Sequence, residues 1–224
     1  HFAVHSGPEA IRHEFDAKAS KHDMYDTYLY AFKRCVKDAK VEAVMGAYNR
    51  VNGEPACGSK TLLKDILRDE FGFEGHVVSD CWAILDFHEH HHVTESVEES
   101  AAMAVNNGCD LNCGSAFLHL QEAYEKGLVS EEAITEAVER LMEVRIRLGM
   151  MKDYPSPYED ITYDKVECPE HVKLSVEAAR RSLVLLKNEN AFLPLDKNKI
   201  QTVAVIGPNA NSRDALVGNY VGTS

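Results

Sequence analysis

Apolar runs with a preference for β structure alternate with helical stretches along the first two thirds of the chain. Each predicted strand is followed by a polar or glycine-containing corner and then by a predicted helix. The strands are predicted over residues 1–5, 41–48, 76–80 and 109–112, and the helices over 23–37, 59–70, 96–106 and 115–126. Short apolar strands that alternate with helices are typical of a parallel sheet covered on both faces. The pattern therefore predicts an α/β fold.

Four strand–helix units are half of the eight that a closed TIM-like (β/α)8 barrel contains. Polar residues gather where the predicted strands end, at His5, Tyr48–Asn49, Ser79–Asp80 and Asn112. In such a barrel this end of the strands carries the active site. We therefore predict that the chain holds the C-terminal half of a barrel, with its functional residues at the strand ends.

The last third of the chain has a different organisation. Ser130 and two glutamates open a predicted helix that Gly149 ends, and a proline-containing stretch and a helix over 171–182 follow. Two further strands are predicted, over 183–186 and 202–206. The predicted domains are a partial barrel over 1–152, a linker and connecting helix over 153–182, and the truncated start of a second α/β domain over 183–224.

Charge and hydropathy narrow the range of partners. The chain has 24 Lys and Arg against 36 Asp and Glu, a formal net charge of −12, which disfavours nucleic acid. No apolar run is long enough to span a bilayer, whereas neutral sugars are compatible with the acidic surface. Neither end looks like a natural terminus, so we expect a fragment. Its sequence predicts no cofactor and indicates neither the oligomeric state nor the compartment.

Histidines and cysteines both invite a metal interpretation, which the spacing does not support. The run His88-Glu89-His90-His91-His92 lacks the H-E-x-x-H pattern, so we predict no functional metal; a sugar contact or adventitious metal binding are the alternatives. The six cysteines contain no C-x-x-C pair, which favours buried thiols with one or two bridges. They are Cys35, Cys57, Cys81, Cys109, Cys113 and Cys168.

Asp80 is the candidate for catalysis. The apolar pair Val77-Val78 brings it to the predicted functional face, where it could act as a nucleophile. A carboxylate at this position could equally cap the next helix or pair with an arginine. The residues alone leave both interpretations open.

Several ordered motifs resemble glycoside hydrolase family 3. The segments 44–53, VMGAYNRVNG, and 74–83, EGHVVSDCWA, carry the resemblance, and the opening HFAVHSGPEAIRHEF continues it. It extends through GCDLNCG, RIRLGM, EAARRSLVLLKNENAFLPL and VAVIGPNA, so it spans essentially the whole chain.

The resemblance implies a retaining β-glycosidase with Asp80 as its nucleophile. His1 and Arg12 would bind sugar hydroxyls, and Tyr48 would donate a hydrogen bond to the nucleophile. The remaining substrate-site residues implied are Met45, Cys81 and Trp82. The general acid/base glutamate would belong to the family's second domain, an α/β sandwich, beyond Ser224. The fragment alone is therefore expected to be inactive.

The segments HSGPEAIRHEF and SDC are more similar to the β-xylosidase branch than to the β-glucosidase branch. Cys113 ends the strand-end loop next to that of Cys81, so we hypothesise a disulfide or contact that lines the pocket floor and excludes the hydroxymethyl group of glucose. Two unrelated buried thiols are the alternative. The predicted activity is removal of terminal β-D-xylosyl units from xylo-oligosaccharides. A β-glucosidase, a non-catalytic sugar-binding relative and a metal-dependent hydrolase are the alternatives.

Overall fold

The computed structural model describes residues 1–5 and 7–217, which divide into two compact units. The first runs over His1–Asp160 and the second begins at Ile161. The boundary falls inside the stretch 153–182 that was predicted as linker and connecting helix. Within the described residues, no helix is both long and apolar enough to cross a membrane.

The described strands are short and all lie in the first unit. They are β1 (Asp16–Ala17), β2 (Ala43–Met45), β3 (Arg50–Val51), β4 (Glu54–Pro55) and β5 (His76–Val78). Strands β2 and β5 are parallel, with Val44 opposite Val77. Single parallel bridges join Phe2 to Gly46 and Val78 to Leu111. The four segments predicted as strands therefore neighbour one another in chain order, and the α/β prediction is confirmed.

Helices follow these strands where the periodicity predicted them. The α-helices are α1 (Lys21–Asp23), α2 (Tyr30–Lys37), α3 (Asp86–Glu89), α4 (Val97–Asn106), α5 (Leu120–Glu125), α6 (Glu131–Arg147) and α7 (Pro169–Ser182). Two π-helices cover Met24–Tyr28 and Thr61–Glu70, and the 3-10 turns are Glu9–Ile11, Ala56–Gly58, Ala116–His119, Tyr163–Lys165, Glu189–Ala191 and Asp214–Leu216. The predicted ends of α6 are confirmed: the Ser130 side chain accepts a hydrogen bond from the Ala133 N–H, and Gly149 has a positive φ of 69°.

A small second sheet was not predicted. Strands β3 and β4 form a hairpin around Asn52-Gly53, which have φ values of 52° and 96° and suit the tight turn. Strand β1 pairs with β3 in parallel. This pairing holds the end of the segment before β1 against the hairpin. These strands have two residues each, too few for an alternating pattern to be visible in the sequence.

The second unit differs from its prediction. Residues 183–186 and 202–206 are exposed, and neither segment forms a strand in the described chain. An apolar run becomes a strand only when a neighbouring segment supplies a hydrogen-bonding ladder. The described part of this unit contains the helix α7 and short 3-10 turns, which supply no such ladder.

A buried ion cluster joins three elements of the first unit. The Asp110 carboxylate lies 2.7 Å from Nη2 of Arg68, on the π-helix Thr61–Glu70, and 2.8 Å from Nη1 of Arg140, on α6. It also accepts a 2.8 Å hydrogen bond from the backbone N–H of Val77 in β5. Burial lowers the pKa of the Arg68 guanidinium, and the negative charge of Asp110 opposes this shift. The cluster therefore ties two helices to the strand that leads to Asp80.

We expect Asp110→Asn to lower the free energy of unfolding by about 3 kcal/mol, because it leaves two arginines against a neutral group. The matched control is Asp65→Asn, which removes a carboxylate from an exposed 2.7 Å pair with Lys60. The control should change stability by no more than about 0.5 kcal/mol. Denaturant unfolding of the full-length gene product measures both. Equal effects would mean that the cluster does not hold the fold together.

Candidate active site

The Asp80 carboxylate is held by one residue next to it in the sequence and by one far before it. It follows β5 by two residues and is buried, with 7% of its surface exposed. Its Oδ1 accepts a 2.8 Å hydrogen bond from the backbone N–H of Cys81, and its Oδ2 lies 2.6 Å from Nε2 of His1. The carboxylate therefore has one fixed donor and one histidine partner.

The loop over residues 111–113 fixes the backbone around Asp80. The Ser79 N–H donates to the Leu111 carbonyl at 2.8 Å, and the Ser79 hydroxyl accepts from the Cys113 N–H at 3.0 Å and from Asn112 Nδ2 at 3.2 Å. Beyond Asp80, the Trp82 N–H donates to the Cys113 carbonyl at 2.7 Å. Hydrogen bonds thus clamp the chain on both sides of the carboxylate.

Cys81 and Cys113 form a disulfide whose Cα atoms are 4.3 Å apart. This bond joins the residue after Asp80 to the 109–113 loop. Gly114 has a φ of 139°, a backbone conformation that favours glycine, and a Cβ there would lie in tight contact with the Trp82 backbone, at 3.3 Å. Trp82 is 56% exposed and lies on the surface beside the disulfide.

Tyr48 lies at the centre of a group of cationic and imidazole side chains. The guanidinium carbon of Arg12 is 4.9 Å from the centre of the Tyr48 ring, and the His13 ring centre is 4.5 Å from it. The ring centre of His1, the partner of Asp80, is 6.3 Å from that of Tyr48. The structure thus brings together His1, Arg12, Tyr48 and Asp80, four of the predicted site residues.

Backbone pairing positions the N-terminal histidines and Met45. The Phe2 N–H donates to the Met45 carbonyl at 2.7 Å, which places His1 at the end of β2. The rings of His1 and His5 have centres 4.6 Å apart. Met45 is partly exposed to solvent, with 38% of its surface accessible. Met45 also pairs in register with Val78, two residues before Asp80.

Asp86 was not predicted as part of the site. Its carboxylate is buried and lies 2.8 Å from Nδ1 of His13 and 3.7 Å from Nε2 of His90. Burial raises the pKa of Asp86, and the hydrogen bond from His13 opposes that shift. The one available sequence signal was an aspartate in the otherwise apolar run from Ala83 to Phe87.

The His88–His92 run does not act as a unit. His88 Nδ1 lies 2.9 Å from the Ser100 hydroxyl, and His92 Nδ1 contacts the His88 carbonyl at 3.1 Å. His91 is buried against the Phe87 ring, at 6.2 Å between ring centres. Across residues 1–5 and 7–217, no three His, Cys, Asp or Glu side chains are arranged to hold a metal ion.

A buried thiol lies beneath the site. The Cys57 Sγ donates to the Ala47 carbonyl at 3.3 Å, and the backbone of Asp80 also contacts this sulfur. Burial raises the pKa of Cys57 to about 12, so the thiol stays neutral and serves as packing. A Cβ at Gly46 would lie 2.5 Å from this sulfur, which explains the glycine at that strand end.

Comparison with known families identifies this arrangement. Residues 1–144 match the model of the glycosyl hydrolase family 3 N-terminal domain, and residues 183–224 match that of the family 3 C-terminal domain. The chain belongs to glycosyl hydrolase family 3. The resemblance inferred from the motifs is therefore confirmed.

Curated relatives of this family 3 chain are named as xylosidases. A xylan 1,4-beta-xylosidase of Xylanibacter ruminicola is 46% identical over 100% of the chain and 26% of its own length. A beta-xylosidase/alpha-L-arabinofuranosidase of Medicago sativa subsp. varia is 42% identical over 94% of the chain and 28% of its own length. The chain thus spans about a quarter of the length of these relatives.

Two solved glycosidase structures show the same fold. A GH3 exo-beta-xylosidase in complex with a xylobiose aziridine activity-based probe superposes with a TM-score of 0.89 at 35% identity, over 100% of this chain and 30% of that one. A beta-glucosidase from Listeria innocua superposes with a TM-score of 0.73 at 31% identity, over 88% of this chain and 27% of that one.

We expect His91 to make the family 3 chain less stable in acid. Burial lowers the pKa of His91 to about 4, against about 6.5 for an ordinary histidine. The unfolded state therefore binds a proton that the folded state does not, and stability falls as the pH drops from about 6.5 to about 4. The loss is up to about 3 kcal/mol.

His91→Phe should flatten that part of the stability profile, because it removes the titrating ring and keeps an aromatic group against Phe87. His92→Phe, at an exposed neighbouring position, is the matched control. Denaturant unfolding of the full-length gene product from pH 7 to pH 4 measures both. If His91→Phe and the wild type lose the same stability over this range, another group is responsible.

Proposed function

We propose that this chain supplies the nucleophile and much of the sugar site of a retaining exo-β-glycosidase. Its preferred reaction is removal of terminal β-D-xylosyl units from xylo-oligosaccharides. The observation that carries the proposal is the environment of Asp80, a buried carboxylate at a strand end within 2.6 Å of His1 and beside the Cys81–Cys113 disulfide. Family membership and the names of the xylosidase relatives support it.

The four parallel strand positions support the inference that the first unit is the C-terminal half of a (β/α)8 barrel. Phe2, Gly46, Val78 and Leu111 are joined in sequence by parallel pairing. Asp80 follows one of these strands, on the face where βα barrels carry their chemistry. In this proposal the remaining barrel strands, and the part of the second domain beyond what residues 183–224 match, come from sequence outside the chain.

The reaction proceeds in two displacements at the anomeric carbon. An oxygen of Asp80 forms a bond to that carbon while the glycosidic carbon–oxygen bond breaks, and a general acid protonates the departing oxygen. Water then attacks the same carbon of the xylosyl–Asp80 intermediate, the bond from that carbon to the Asp80 oxygen breaks, and the same group, now a base, accepts the proton from the water. We expect this acid/base group to be a glutamate of the second domain that is not in this chain.

The residues around Asp80 suit a polyhydroxylated, uncharged substrate. Arg12 and His1 present donors to sugar hydroxyls, and Tyr48 lies against both. We expect the Tyr48 hydroxyl to donate to Asp80 and so stabilise its ionised form. The exposed Trp82 ring and the Met45 side chain provide apolar surface for the faces of the sugar ring.

The Cys81–Cys113 disulfide favours xylose over glucose in this proposal. Cys81 directly follows the nucleophile, and hydrogen bonds to Ser79 and Trp82 hold the Cys113 backbone, so this side of the pocket cannot easily move. Glucose carries a hydroxymethyl group that xylose lacks, and a rigid wall excludes it by contact. Such discrimination is partial, amounting to about 10- to 200-fold for one small group.

A β-glucosidase is the second candidate. The fold is shared with a solved beta-glucosidase at a TM-score of 0.73, so the scaffold itself does not select the sugar. A relative that carries both beta-xylosidase and alpha-L-arabinofuranosidase in its name supports broader pentoside activity. Comparing aryl xyloside, glucoside and arabinofuranoside as substrates distinguishes these activities.

A 2-deoxy-2-fluoro-β-xyloside with a good leaving group should label Asp80 in the full-length gene product. The fluorine slows hydrolysis of the covalent intermediate, so the peptide that contains Asp80 should gain the mass of the fluoroxylosyl group. Asp80→Asn should abolish labelling and lower kcat/KM for an aryl β-xyloside by at least about 1,000-fold.

Asp65→Asn, an exposed change of the same type, is the control and should keep both labelling and turnover. Labelling at another carboxylate would move the nucleophile away from Asp80. No labelling by either the xylosyl or the glucosyl reagent would favour a non-catalytic sugar-binding protein.

Removing the disulfide should relax the preference for xylose. In the double variant Cys81→Ala with Cys113→Ala, we expect the ratio of kcat/KM for aryl β-xyloside to that for aryl β-glucoside to fall about tenfold, since the wall is lost. Cys35→Ala, at an exposed free thiol, is the control and should keep the wild-type ratio. If the folded double variant also keeps it, the disulfide does not select the sugar.

A further inference from the structure

Three polar groups form a chain of hydrogen bonds behind the sugar site. Arg12 Nε donates to His13 Nε2 at 3.3 Å, and His13 Nδ1 lies 2.8 Å from Oδ2 of Asp86. The resemblance assigned a role to Arg12 and none to His13 or Asp86. The chain of contacts runs from an arginine at the candidate site to a buried carboxylate 74 residues later in the sequence.

Arg12 and Asp86, the two groups that contact the His13 ring nitrogens, determine the tautomer of His13. The Arg12 guanidinium can only donate, so His13 Nε2 must accept and carries no proton. The carboxylate of Asp86 accepts, so the proton of the neutral ring lies on Nδ1. His13 therefore transmits the orientation set by Asp86 to Arg12.

Groups from several parts of the chain face His13. Arg12 precedes it in the chain, the Tyr48 ring lies 4.5 Å away, and Asp86 and His90 approach from α3 and its end. The His91 ring contacts the His13 backbone. Asp86 is the only carboxylate among these neighbours, and it is almost fully buried.

Arg12 itself is partly exposed and depends on such contacts for its position. It stacks on Tyr48 and pairs with Glu9, whose side chain is 81% exposed. An exposed ion pair contributes little to fixing a long side chain. The His13 contact is supported by a buried group, so it is the stronger constraint on the guanidinium.

We infer that Asp86 and His13 are positioning residues that orient Arg12 for sugar binding. The inference rests on the proposed function, because it assigns a role within the same site.

The tests use the full-length gene product and two variants. Asp86→Asn lets an amide face His13 and donate to Nδ1, which favours the wrong tautomer. His13→Phe keeps a ring against Tyr48 but has no acceptor for Arg12. Both should raise KM for an aryl β-xyloside about tenfold and change kcat less, because the lost interaction is one of binding.

A matched control comes from an exposed histidine–carboxylate pair. His119 Nδ1 lies 2.7 Å from Glu122, on the 3-10 turn and helix that follow the 109–113 loop, so Glu122→Gln removes a similar contact elsewhere. This variant should keep the wild-type KM. If it raised KM as much as Asp86→Asn does, the effect would be non-specific and the inference would be wrong.

A double-mutant cycle separates positioning from general loss of structure. In an Arg12→Ala background, Asp86→Asn and His13→Phe should each have little further effect on KM, since the group they orient is gone. If their effects instead multiply with that of Arg12→Ala, they do not act through Arg12. His13→Phe completes the cycle if Asp86→Asn fails to fold.

Calorimetric titration with xylose provides a readout that is independent of turnover. Asp86→Asn and His13→Phe should each bind xylose about tenfold more weakly than the wild type does, in line with their higher KM. Unchanged xylose affinity and unchanged KM in an active enzyme would overturn the inference alone. An inactive wild type whose xylose affinity still depends on Asp86 would overturn the proposed activity and support the inference.

Discussion

The buried carboxylate of Asp110 is the interaction on which the geometry of the first unit depends. Removing a charge from water costs several kcal/mol, and Arg68, Arg140 and the Val77 N–H together offset that cost. Each partner belongs to a different element, so satisfying one carboxylate fixes the π-helix, α6 and β5 relative to one another. Asp80 follows β5 by two residues. Its position is therefore set by packing that lies behind the site.

Periodicity predicted the repeating part of the fold and missed what depends on contacts between distant residues. The helix after Ser130 and the strand before Asp80 were predictable because apolar spacing and a cap are local signals. The β3–β4 hairpin was not, because two-residue strands carry no alternation. The segment 183–186 shows the converse, since its apolar residues suggested a strand and the described chain provides no partner for it.

The candidate site likewise contains residues that the sequence identifies and residues that only the structure identifies. Asp80 and Cys81 stand in a motif of the family, so resemblance identified them without any knowledge of contacts. Asp86 stands in no motif, and in sequence it looks like an ordinary helix-start residue. Its importance arises only when the chain brings His13 to 2.8 Å from it, after the pairing of β1 with β3 has fixed the intervening segment. Buried charge partners of this kind are a property of tertiary structure.

Two ways of fixing side chains therefore meet at this site. The wall beside Asp80 is covalent and hydrogen-bonded to backbone, so under the proposed function it decides by shape which sugar enters. Arg12 lies outside the sheet, on a segment before β1, and is held by side-chain hydrogen bonds that run through His13 to Asp86. Under the inference drawn above, shape selection then depends on the disulfide, whereas binding strength depends on the contacts among Arg12, His13 and Asp86. A site built in this way can lose affinity when these contacts are removed and still keep its preference among sugars.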